Sequence, residues 1–426
     1  MTEAPRPIDS LDPPRQGVTT APFLRAPEAA RTIFIVTLAA ACAPLVAGLI
    51  LFGWYAAVVS ALCIGSCVIL ERLYYRVTRT PALLGRTHAY LTGVLLALTM
   101  PPFVPWYIPV VAAAFAIIVG KAIFGGVGHF LWQPALVGRV AVAVIFLTTL
   151  TPTYWPILAR DKLLNGDIRA AQRLERSDQW STSVAPDGAD AFSMRPPADI
   201  LAGLTSTDDV PYSGLASIHP KRLRVALNTS PQQHVPRLRG AIMPNLPPLR
   251  EMLLGTRPGG IGETCAVVIL VAGVYLIYRG YVKWQLPLAF IASAAAVVAV
   301  APVHLATGSD GHVAWKWLPL VFEGADTGFT YVLYQLLSGE LLLAAMFLAP
   351  EMTSRPVTTG GQVIFGVGCG VAAMLLRLYV DLPVPCYTAI LIMNSFTPKI
   401  DRLWRPHSLG QPAWRWFGRT PPASRP

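Results

Sequence analysis

Hydrophobic residues in this chain fall into long runs separated by short polar links. A bilayer core of about 30 Å is crossed by about 20 apolar residues in helical form. The pattern predicts ten membrane-spanning helices, at 32–52, 54–71, 89–103, 106–124, 135–154, 264–279, 285–303, 328–349, 361–380 and 383–400. The third run is short and ends at Pro101-Pro102. We therefore expect it to be broken or re-entrant, with its irregular backbone covered by protein rather than lipid.

A polar insert at 158–262 separates the fifth predicted helix from the sixth. The fold class that we predict is an all-α polytopic membrane protein, with about ten transmembrane helices and this large insert outside the cytoplasm. The predicted divisions are a cytoplasmic tail, a first membrane bundle, the insert, a second bundle and a basic cytoplasmic tail, at 1–31, 32–157, 158–262, 263–400 and 401–426.

Composition and charge agree with a membrane protein. The chain has 426 residues, of which 54% are hydrophobic and 13% charged, whereas soluble domains carry about 25% charge. The net charge of +11 comes largely from Lys and Arg that flank apolar runs, which is a topology signal rather than a nucleic-acid surface. These flanks predict a multi-pass membrane protein with both termini in the cytoplasm. The basic stretch 219–257 is typical of contact with lipid head groups, with a phosphate-bearing ligand or an acidic partner as alternatives.

Several classes of chemistry have no sequence signature here. The six cysteines lie in or beside apolar runs, without a CxxC pair or a Cys/His cluster, so neither a zinc site nor an iron–sulfur ligand set is predicted. No catalytic triad, P-loop or dinucleotide fingerprint is visible. We therefore predict no metal site and no self-contained hydrolase, ATPase or nicotinamide dehydrogenase.

Ionisable residues inside apolar runs are costly in hydrocarbon and need a partner or water. Glu340 lies near the middle of the predicted helix 328–349. It is a candidate relay for a proton or sodium ion, or it makes a helix–helix hydrogen bond with a partner subunit. Glu263 is placed in the first turn of the sixth helix, where capping is the favoured interpretation. Lys121 and Arg139 are interpreted as snorkelling side chains on the cytoplasmic side.

Four stretches at membrane boundaries are rich in small residues: "TGVLLALTMPP", "GKAIFGGVGHFLWQPALVGR", "RPGGIGETCAVVILVAG" and "LLSGELLLAAMFLAPEMTSRPVTTGGQVIFGVGCG". Glycine lets backbone approach a ligand or a neighbouring helix closely. Small residues are also the usual packing surface between membrane helices. We expect Gly366, Gly368 and Gly370 to serve packing rather than a ligand.

These stretches, with "APFLRAPEAARTIF" before the first helix and "MNSFTPKID" in the last, occur in the order and spacing of one family. The chain resembles the RnfD component of the Rnf ion-translocating electron-transport complex and the NqrB component of the sodium-translocating NADH:quinone reductase, over nearly its whole length. The resemblance implies a ten-helix membrane subunit that carries flavin. In this family FMN is joined through its phosphate to a threonine in the large outer loop.

The resemblance places that attachment motif at "YSGLAS". Aligned on Ser213 and Gly214, the family threonine becomes Ala216, which has no oxygen to esterify. Ser217 is the nearest alternative hydroxyl. We expect FMN or riboflavin, if bound, to be held non-covalently. The candidate cofactor-binding residues are Ser213, Gly214, Ser217, Gly260, Gly262, Glu263, Gly125 and Gly126.

Other positions depart from the family pattern. Gln133 stands where the family motif has asparagine, Glu340 follows Ser338-Gly339 where a glycine is typical, and the acid expected before the third helix is missing from "GRTHAYLTG". The resemblance then implies a divergent member with a retained scaffold and modified site chemistry.

The leading hypothesis is a membrane subunit of an Rnf-like complex that takes part in flavin-mediated electron transfer coupled to sodium or proton movement. Its partners would be other membrane and peripheral subunits and the lipid bilayer, with no nucleic acid. One alternative is a flavin-free structural or ion-conducting subunit of such a complex. An unrelated secondary transporter is disfavoured because the two halves show no evident internal repeat.

Overall fold

The computed structural model describes most of the two helical regions and parts of the insert. The described residues are 30–79, 85–126, 128–152, 155–158, 162–168, 176–177, 191–194, 196–202, 246–307, 313–322, 324–380 and 382–403. Helices dominate them, as the hydrophobic runs predict.

The helices of the first half follow one another with short connections. They are α1 (Ala30–Phe52), α2 (Trp54–Thr78), α3 (Gly85–Thr99), α4 (Tyr107–Ala114, continuing as a π-helix over Phe115–Ala122), α5 (Pro134–Ile145) and α6 (Leu147–Leu150). Gly53 alone separates α1 from α2. Its φ of 74° lies in a region that glycine adopts without steric cost. The chain can therefore reverse between two long helices within one residue.

The second half contains the remaining helices. They are α7 (Pro197–Ala202), α8 (Leu249–Leu254), α9 (Ala266–Tyr278), α10 (Gln285–Val300), α11 (Pro319–Phe322), α12 (Ala325–Leu337), α13 (Leu341–Leu343, continuing as a π-helix over Ala344–Leu348), α14 (Thr359–Tyr379) and α15 (Pro385–Leu403).

Two small sheets accompany the helices. Strand β1 (Trp155–Leu158) pairs antiparallel with β3 (Ala191–Met194), and β2 (Arg176–Ser177) pairs parallel with β3. Strands β4 (Val303–Thr307) and β5 (Val313–Lys316) form a hairpin. The all-α prediction is therefore correct for the bundle and wrong for these connections, where the chain folds into strands between helices.

Three described helices are long and apolar enough to cross a membrane by themselves: Arg31–Phe52, Trp54–Thr78 and Thr359–Tyr379. The bent pair Ala325–Leu337 and Leu341–Leu348 makes a fourth crossing if it acts as one span. Shorter apolar helices are His88–Thr99, Tyr107–Ala122, Pro134–Ile145, Ala266–Tyr278 and Gln285–Val300. The count of ten crossings stays a prediction.

The predicted continuous helix 328–349 is wrong, because the chain breaks between α12 and α13 and bends by 65°. The break is Ser338-Gly339-Glu340, and Gly339 has a φ of 65°. This left-handed conformation favours glycine and stops the helix. Glu340 consequently lies at a helix interruption rather than inside a regular helix.

Glycines of α14 let it pack closely on its neighbours. A side chain at Gly366 would come within 2.7 Å of the Leu286 carbonyl oxygen of α10, and one at Gly368 within 2.8 Å of the Met393 sulfur of α15. At Gly370 the obstacles are Ser293 and the Phe290 carbonyl, again on α10. The prediction that these glycines serve packing is confirmed.

Candidate functional site

The loop "GGIGET" lies against the end of α3, the short third helix. Ile261 N–H donates to the Met100 carbonyl at 2.9 Å and Gly262 N–H to the Leu98 carbonyl at 2.8 Å. The Arg139 guanidinium of α5 donates through Nε to the Thr99 carbonyl at 2.8 Å. Protein groups thus satisfy the carbonyls at this broken helix end. That is the covering expected for irregular backbone inside a bilayer.

Glu263 ends this loop inside the bundle. One of its carboxylate oxygens accepts a hydrogen bond from the Tyr387 hydroxyl at 2.5 Å, and the other accepts from Gly260 N–H at 3.1 Å. Helix α9 begins only at Ala266, so placing Glu263 in its first turn is wrong. The carboxylate caps its own loop and joins it to α15.

Glu340, at the break between α12 and α13, is buried and contacts the start of α15. Its Oε1 accepts a hydrogen bond from Cys386 N–H at 2.5 Å. Free N–H groups at a helix start favour a negative charge. The carboxylate of Glu340 therefore bonds to the next helix of this chain, whereas the predicted alternative was a hydrogen bond to a partner subunit.

Two arginines accompany these carboxylates. Arg377 donates through Nη1 to the Gln335 carbonyl at 2.8 Å and to the Ser338 hydroxyl at 3.4 Å, which fixes the end of α12. Arg139 is 3% exposed, and its Nη1 has no hydrogen-bond partner among the described residues. The arginines thus place positive charge beside Glu263 and Glu340.

A cavity of about 110 Å³ joins these groups, and we call it the carboxylate pocket. Its polar lining includes Arg139, Glu263, Glu340 and Arg377, and Trp155, Leu150 and Val384 contribute apolar wall. Pockets for organic ligands typically measure about 300 Å³ or more. The carboxylate pocket fits water or a small cation and is too small for a flavin ring system.

A second buried polar group, the lysine cluster, consists of Glu71, His88, Lys121 and Glu351. The Lys121 ammonium donates to both carboxylate oxygens of Glu71, at 2.6 and 2.7 Å. It also lies 3.2 Å from Nδ1 of His88. Lys121 is 2% exposed and Glu71 3%. The cluster joins the ends of α2 and the π-helix after α4 to the start of α3.

His88 connects this ion pair to Glu351. Its Nε2 lies 3.4 Å from Oε1 of Glu351, and that carboxylate also accepts from the Thr353 hydroxyl at 2.7 Å. The rings of Phe34 and Phe130 pack on the imidazole at 5.1 and 5.4 Å between centroids. Protein therefore surrounds the imidazole. Glu71 and Glu351 also bring carboxylates close to the start of α3, where the sequence "GRTHAYLTG" lacks the acid that the family pattern has.

Snorkelling is the wrong interpretation for Lys121 and Arg139. Both side chains are almost completely buried, and both bond to protein groups within the bundle. Their partners come from residues distant in the sequence: Glu71 lies 50 positions from Lys121, and Thr99 lies 40 from Arg139. Sequence position beside an apolar run therefore gave no sign of the pairing.

The candidate flavin residues divide into two groups. Ser213, Gly214, Ala216 and Ser217 lie outside the described residues. The remaining glycines lie in two different surroundings.

Gly125 and Gly126 form an open turn with φ values of 96° and 101°. A side chain at Gly125 would meet nothing within 4 Å. A side chain at Gly262, by contrast, would come within 2.7 Å of Leu98 Cβ, and one at Gly260 within 2.6 Å of the Glu263 carboxyl carbon. Gly260 and Gly262 are needed for close packing of the loop, whereas Gly125 and Gly126 leave room beside the chain.

Gln133, which departs from the family motif, has a local structural role. Its side chain accepts a hydrogen bond from Leu136 N–H at 2.7 Å at the start of α5, and Pro134 follows in the first helical position. Both features start helices in proteins generally. Glutamine thus provides the N-terminal cap here.

Apolar helices with buried ionisable groups at their ends and breaks define an integral membrane protein with polar sites inside its bundle. Residues 17–410 match the family described as NQR2, RnfD, RnfE. The chain therefore belongs to that family, as the motifs predict.

Curated relatives resemble the chain along nearly its whole length. It is 29% identical over 393 residues to a protein from Halorhodospira halophila that is named as the D component of an ion-translocating oxidoreductase complex, covering 92% of this chain and 94% of the relative. It is 28% identical to the D component of a proton-translocating ferredoxin:NAD(+) oxidoreductase complex from Clostridium ljungdahlii, covering 92% and 96%. It is also 28% identical to the D component of a Na(+)-translocating complex from Acetobacterium woodii, covering 92% and 95%. Equal identity to relatives named for different ions leaves the ion open.

Proposed function

We propose that the chain is the membrane subunit of an Rnf-like ion-translocating oxidoreductase complex. It takes part in flavin-mediated electron transfer that is coupled to sodium or proton transport. Two findings support its assignment to such a complex: its membership of the family, and the names of relatives that match it over most of their length. Other membrane and peripheral subunits of such a complex would be its partners.

The observation that carries the ion-coupling role is the position of Glu340. It occupies the break between α12 and α13, it is buried, and it lines the carboxylate pocket. A carboxylate at a helix interruption inside a membrane typically marks an ion or proton route. The second carboxylate, Glu263, and the free Nη1 of Arg139 lie at the same pocket. The two carboxylates can bind a cation and release it as local charge changes, and the Arg139 guanidinium, itself a permanent cation, offsets part of their negative charge.

The proposed arrangement is a multi-pass protein of the bacterial inner membrane, with ten crossings and both termini in the cytoplasm. The insert 158–262 would then lie on the outer side. Its support is the alternation of basic residues along the short links, which sets orientation in membrane proteins. Reporter fusions to the short links would test it, and a cytoplasmic signal from the insert would contradict it.

Ion coupling is tested with Glu340→Gln in the purified complex reconstituted into vesicles. The Gln side-chain oxygen can still accept from Cys386 N–H, so the cap on α15 is kept while the acid is lost. We expect ion uptake driven by electron transfer to fall at least ten-fold. Glu251→Gln in α8 is the matched control, because its carboxylate lies outside the pocket, and it should keep wild-type uptake. Normal uptake by Glu340→Gln would refute the relay role.

Flavin is tested separately. We expect no ultraviolet-fluorescent band for this chain on a denaturing gel, because Ala216 has no hydroxyl to esterify. FMN or riboflavin should nevertheless be released by acid from the assembled native complex. A fluorescent band would instead point to another hydroxyl, Ser217 being the nearest. If the gel band and the native flavin are both absent, the flavin-free structural or ion-conducting alternative is correct.

A further inference from the structure

A group of exposed apolar side chains lies at the end of the hairpin β4–β5, and we call it the hairpin surface. Its members are Trp315 in β5, Trp317 and Leu318 directly after β5, and Val321 in α11. Trp317 is 66% exposed, Leu318 50% and Val321 65%. A single exposed apolar residue is ordinary, but a contiguous group marks contact with a membrane or with another protein. The hairpin surface therefore needs a partner outside this chain.

The backbone at Leu318 has an unfavourable conformation that the surrounding structure fixes. Its φ of 57° lies in the left-handed region, which bulky residues rarely adopt. The Leu318 N–H donates to the carbonyl of Val300, the last residue of α10, at 3.2 Å. Strained backbone of this kind persists where neighbouring contacts hold it, and it is concentrated at sites with a role. The structure thus keeps Trp317 and Leu318 exposed at a position where the backbone alone would favour another residue.

The hairpin surface lies level with the ends of two bundle helices. The Trp315 ring packs on the ring of Tyr379, the last residue of α14, at 6.3 Å between centroids. The Tyr379 hydroxyl donates to the carbonyl of Pro302, just beyond α10, at 2.9 Å. These contacts fix the hairpin where α10 and α14 end. In a membrane protein this is the level at which hydrocarbon gives way to lipid head groups.

Exposed tryptophans of the first half occur at a corresponding place. Trp54 begins α2, and Trp106 directly precedes α4. Both are exposed. The Tyr55 hydroxyl donates to the Val104 carbonyl at 2.9 Å, which places the start of α2 beside the link that leads into α4. The two tryptophans therefore lie at the same end of the first bundle.

Trp155 connects these helix ends of the two halves. Its ring packs on Phe103, in the link before α4, at 5.2 Å between centroids. It also lines the carboxylate pocket together with Val380, the residue after Tyr379. Trp155 belongs to β1, which pairs with strand β3 of the insert. The exposed tryptophans of both halves and the hairpin surface thus lie on one side of the bundle, the side of the insert.

We propose that the hairpin surface is a lipid anchor, which inserts Trp317, Leu318 and Val321 into the head-group region of the leaflet on the insert side. Tryptophan suits this depth because its ring is apolar while its indole N–H bonds to water or head groups. Lys316 adds a positive charge beside the rings, which attracts phosphate-bearing head groups. The inference does not depend on electron transfer or ion coupling. The proposed topology makes this leaflet the outer one.

Continuity with the apolar faces of two helices favours lipid over a protein partner. Val300 of α10, whose carbonyl accepts from Leu318, is exposed, and so is Phe329 of α12. Helix α12 packs closely on α11, because Gly328 lies against the Leu320 carbonyl. The hairpin surface therefore passes directly into exposed apolar faces of α10 and α12. A lipid leaflet covers all of these groups together, with head groups at the tryptophans and hydrocarbon along the helices.

The test uses the whole complex in vesicles of phosphatidylethanolamine and phosphatidylglycerol that contain a photoactivatable phospholipid. The diazirine of this lipid is placed either next to the glycerol, as a shallow probe, or at the end of an acyl chain, as a deep probe. Mass spectrometry of the digested protein locates the lipid adducts after illumination. We expect residues 315–321 to react at least about five-fold more with the shallow probe than with the deep one. Ile69 of α2 and Val271 of α9, which are exposed in mid-helix, should show the reverse preference.

A double variant tests the residues themselves. Trp317→Ser with Leu318→Gly removes both apolar side chains, and glycine adopts a φ of 57° without strain, so the hairpin should fold. We expect its shallow-probe adducts at 315–321 to fall at least about five-fold. Trp284→Ser is the matched control, because Trp284 is an exposed tryptophan at the opposite end of α10, and it should leave the hairpin adducts unchanged.

Three results would overturn the anchor. A wild-type hairpin that reacts with neither probe, whether it cross-links to another subunit or faces water, is not in lipid. Stronger reaction with the deep probe than with the shallow one refutes the head-group depth. Unchanged adducts in the double variant refute the role of Trp317 and Leu318. If that variant does not assemble, the wild-type comparison of the two probes decides alone.

Discussion

The Lys121 ammonium is held between both carboxylate oxygens of Glu71, at 2.6 and 2.7 Å, inside the bundle. Neither side chain is more than 3% exposed. Two charges removed from water are tolerated only because each compensates the other. The pair connects the last turns of α2 to the end of the π-helix that follows α4. Loss of one partner alone leaves the other charge buried and unpaired, which lowers the stability of the protein strongly.

Lys121→Met should destabilise the protein by about 3–5 kcal/mol, because it leaves the Glu71 carboxylate buried and unpaired. Thermal unfolding in detergent, followed with a thiol-reactive dye that reports the buried cysteines, measures the change. The double variant Glu71→Leu with Lys121→Met removes both charges and should recover most of the stability. A single variant that unfolds at the wild-type temperature would show that the pair is not buried as described.

The Tyr387 hydroxyl bonds a carboxylate, whereas the Tyr379 hydroxyl bonds the Pro302 carbonyl at 2.9 Å in a less buried place. Tyr387→Phe should therefore cost about 1.5–3 kcal/mol, the range for hydrogen bonds to charged groups, and Tyr379→Phe about 0.5–1.5 kcal/mol. Thermal unfolding of the two variants side by side tests the difference. Equal losses of stability would mean that the hydrogen bond from Tyr387 to Glu263 contributes no more than a bond to a neutral carbonyl.

The helices were predictable because long apolar runs are a local property of the sequence. The break at Gly339 was not predicted, because Ser338-Gly339-Glu340 interrupts the apolar run for only three residues, too few to separate two helices by hydropathy. Arg377, from a helix distant in the sequence, bonds to the end of α12 at this break. The small sheets were missed because short strands in polar connections carry little periodicity. The crossings and the insert boundaries stay predictions.

The sites were predictable only in part. Glu340 and Glu263 were recognisable because each is a carboxylate in or beside an apolar run, and both line the carboxylate pocket. The lysine cluster could not be found, because Glu71 and Lys121 become neighbours only when their helices pack.

Cysteine accessibility provides a test of the packing. Cys63, Cys67, Cys369 and Cys386 are buried, whereas Cys42 and Cys265 are partly exposed. N-ethylmaleimide should therefore label only Cys265 quickly in the native protein, because Cys42 lies near the middle of the membrane helix α1, where the reactive thiolate does not form readily, and it should label all six after denaturation. Mass spectrometry of the digested protein measures the labelled positions. Fast native labelling of Cys63 or Cys67 would contradict the burial of the inner face of α2.

Gly262 should tolerate no side chain, because a Cβ there would lie 2.7 Å from Leu98 Cβ and 3.0 Å from Leu98 Cα. Gly262→Ala would force the "GGIGET" loop away from the end of α3 and weaken the bond from Gly262 N–H to the Leu98 carbonyl. Overpacking of this kind costs about 1–3 kcal/mol. Gly65→Ala is the matched control, since nothing lies within 4 Å of its position in α2, and alanine there should stabilise by about 0.5–1 kcal/mol. Unfolding temperatures that fall for the first variant and hold or rise for the second are the expected result. The opposite order would mean that the loop does not pack against α3 and does not cover the end of that helix beside the carboxylate pocket.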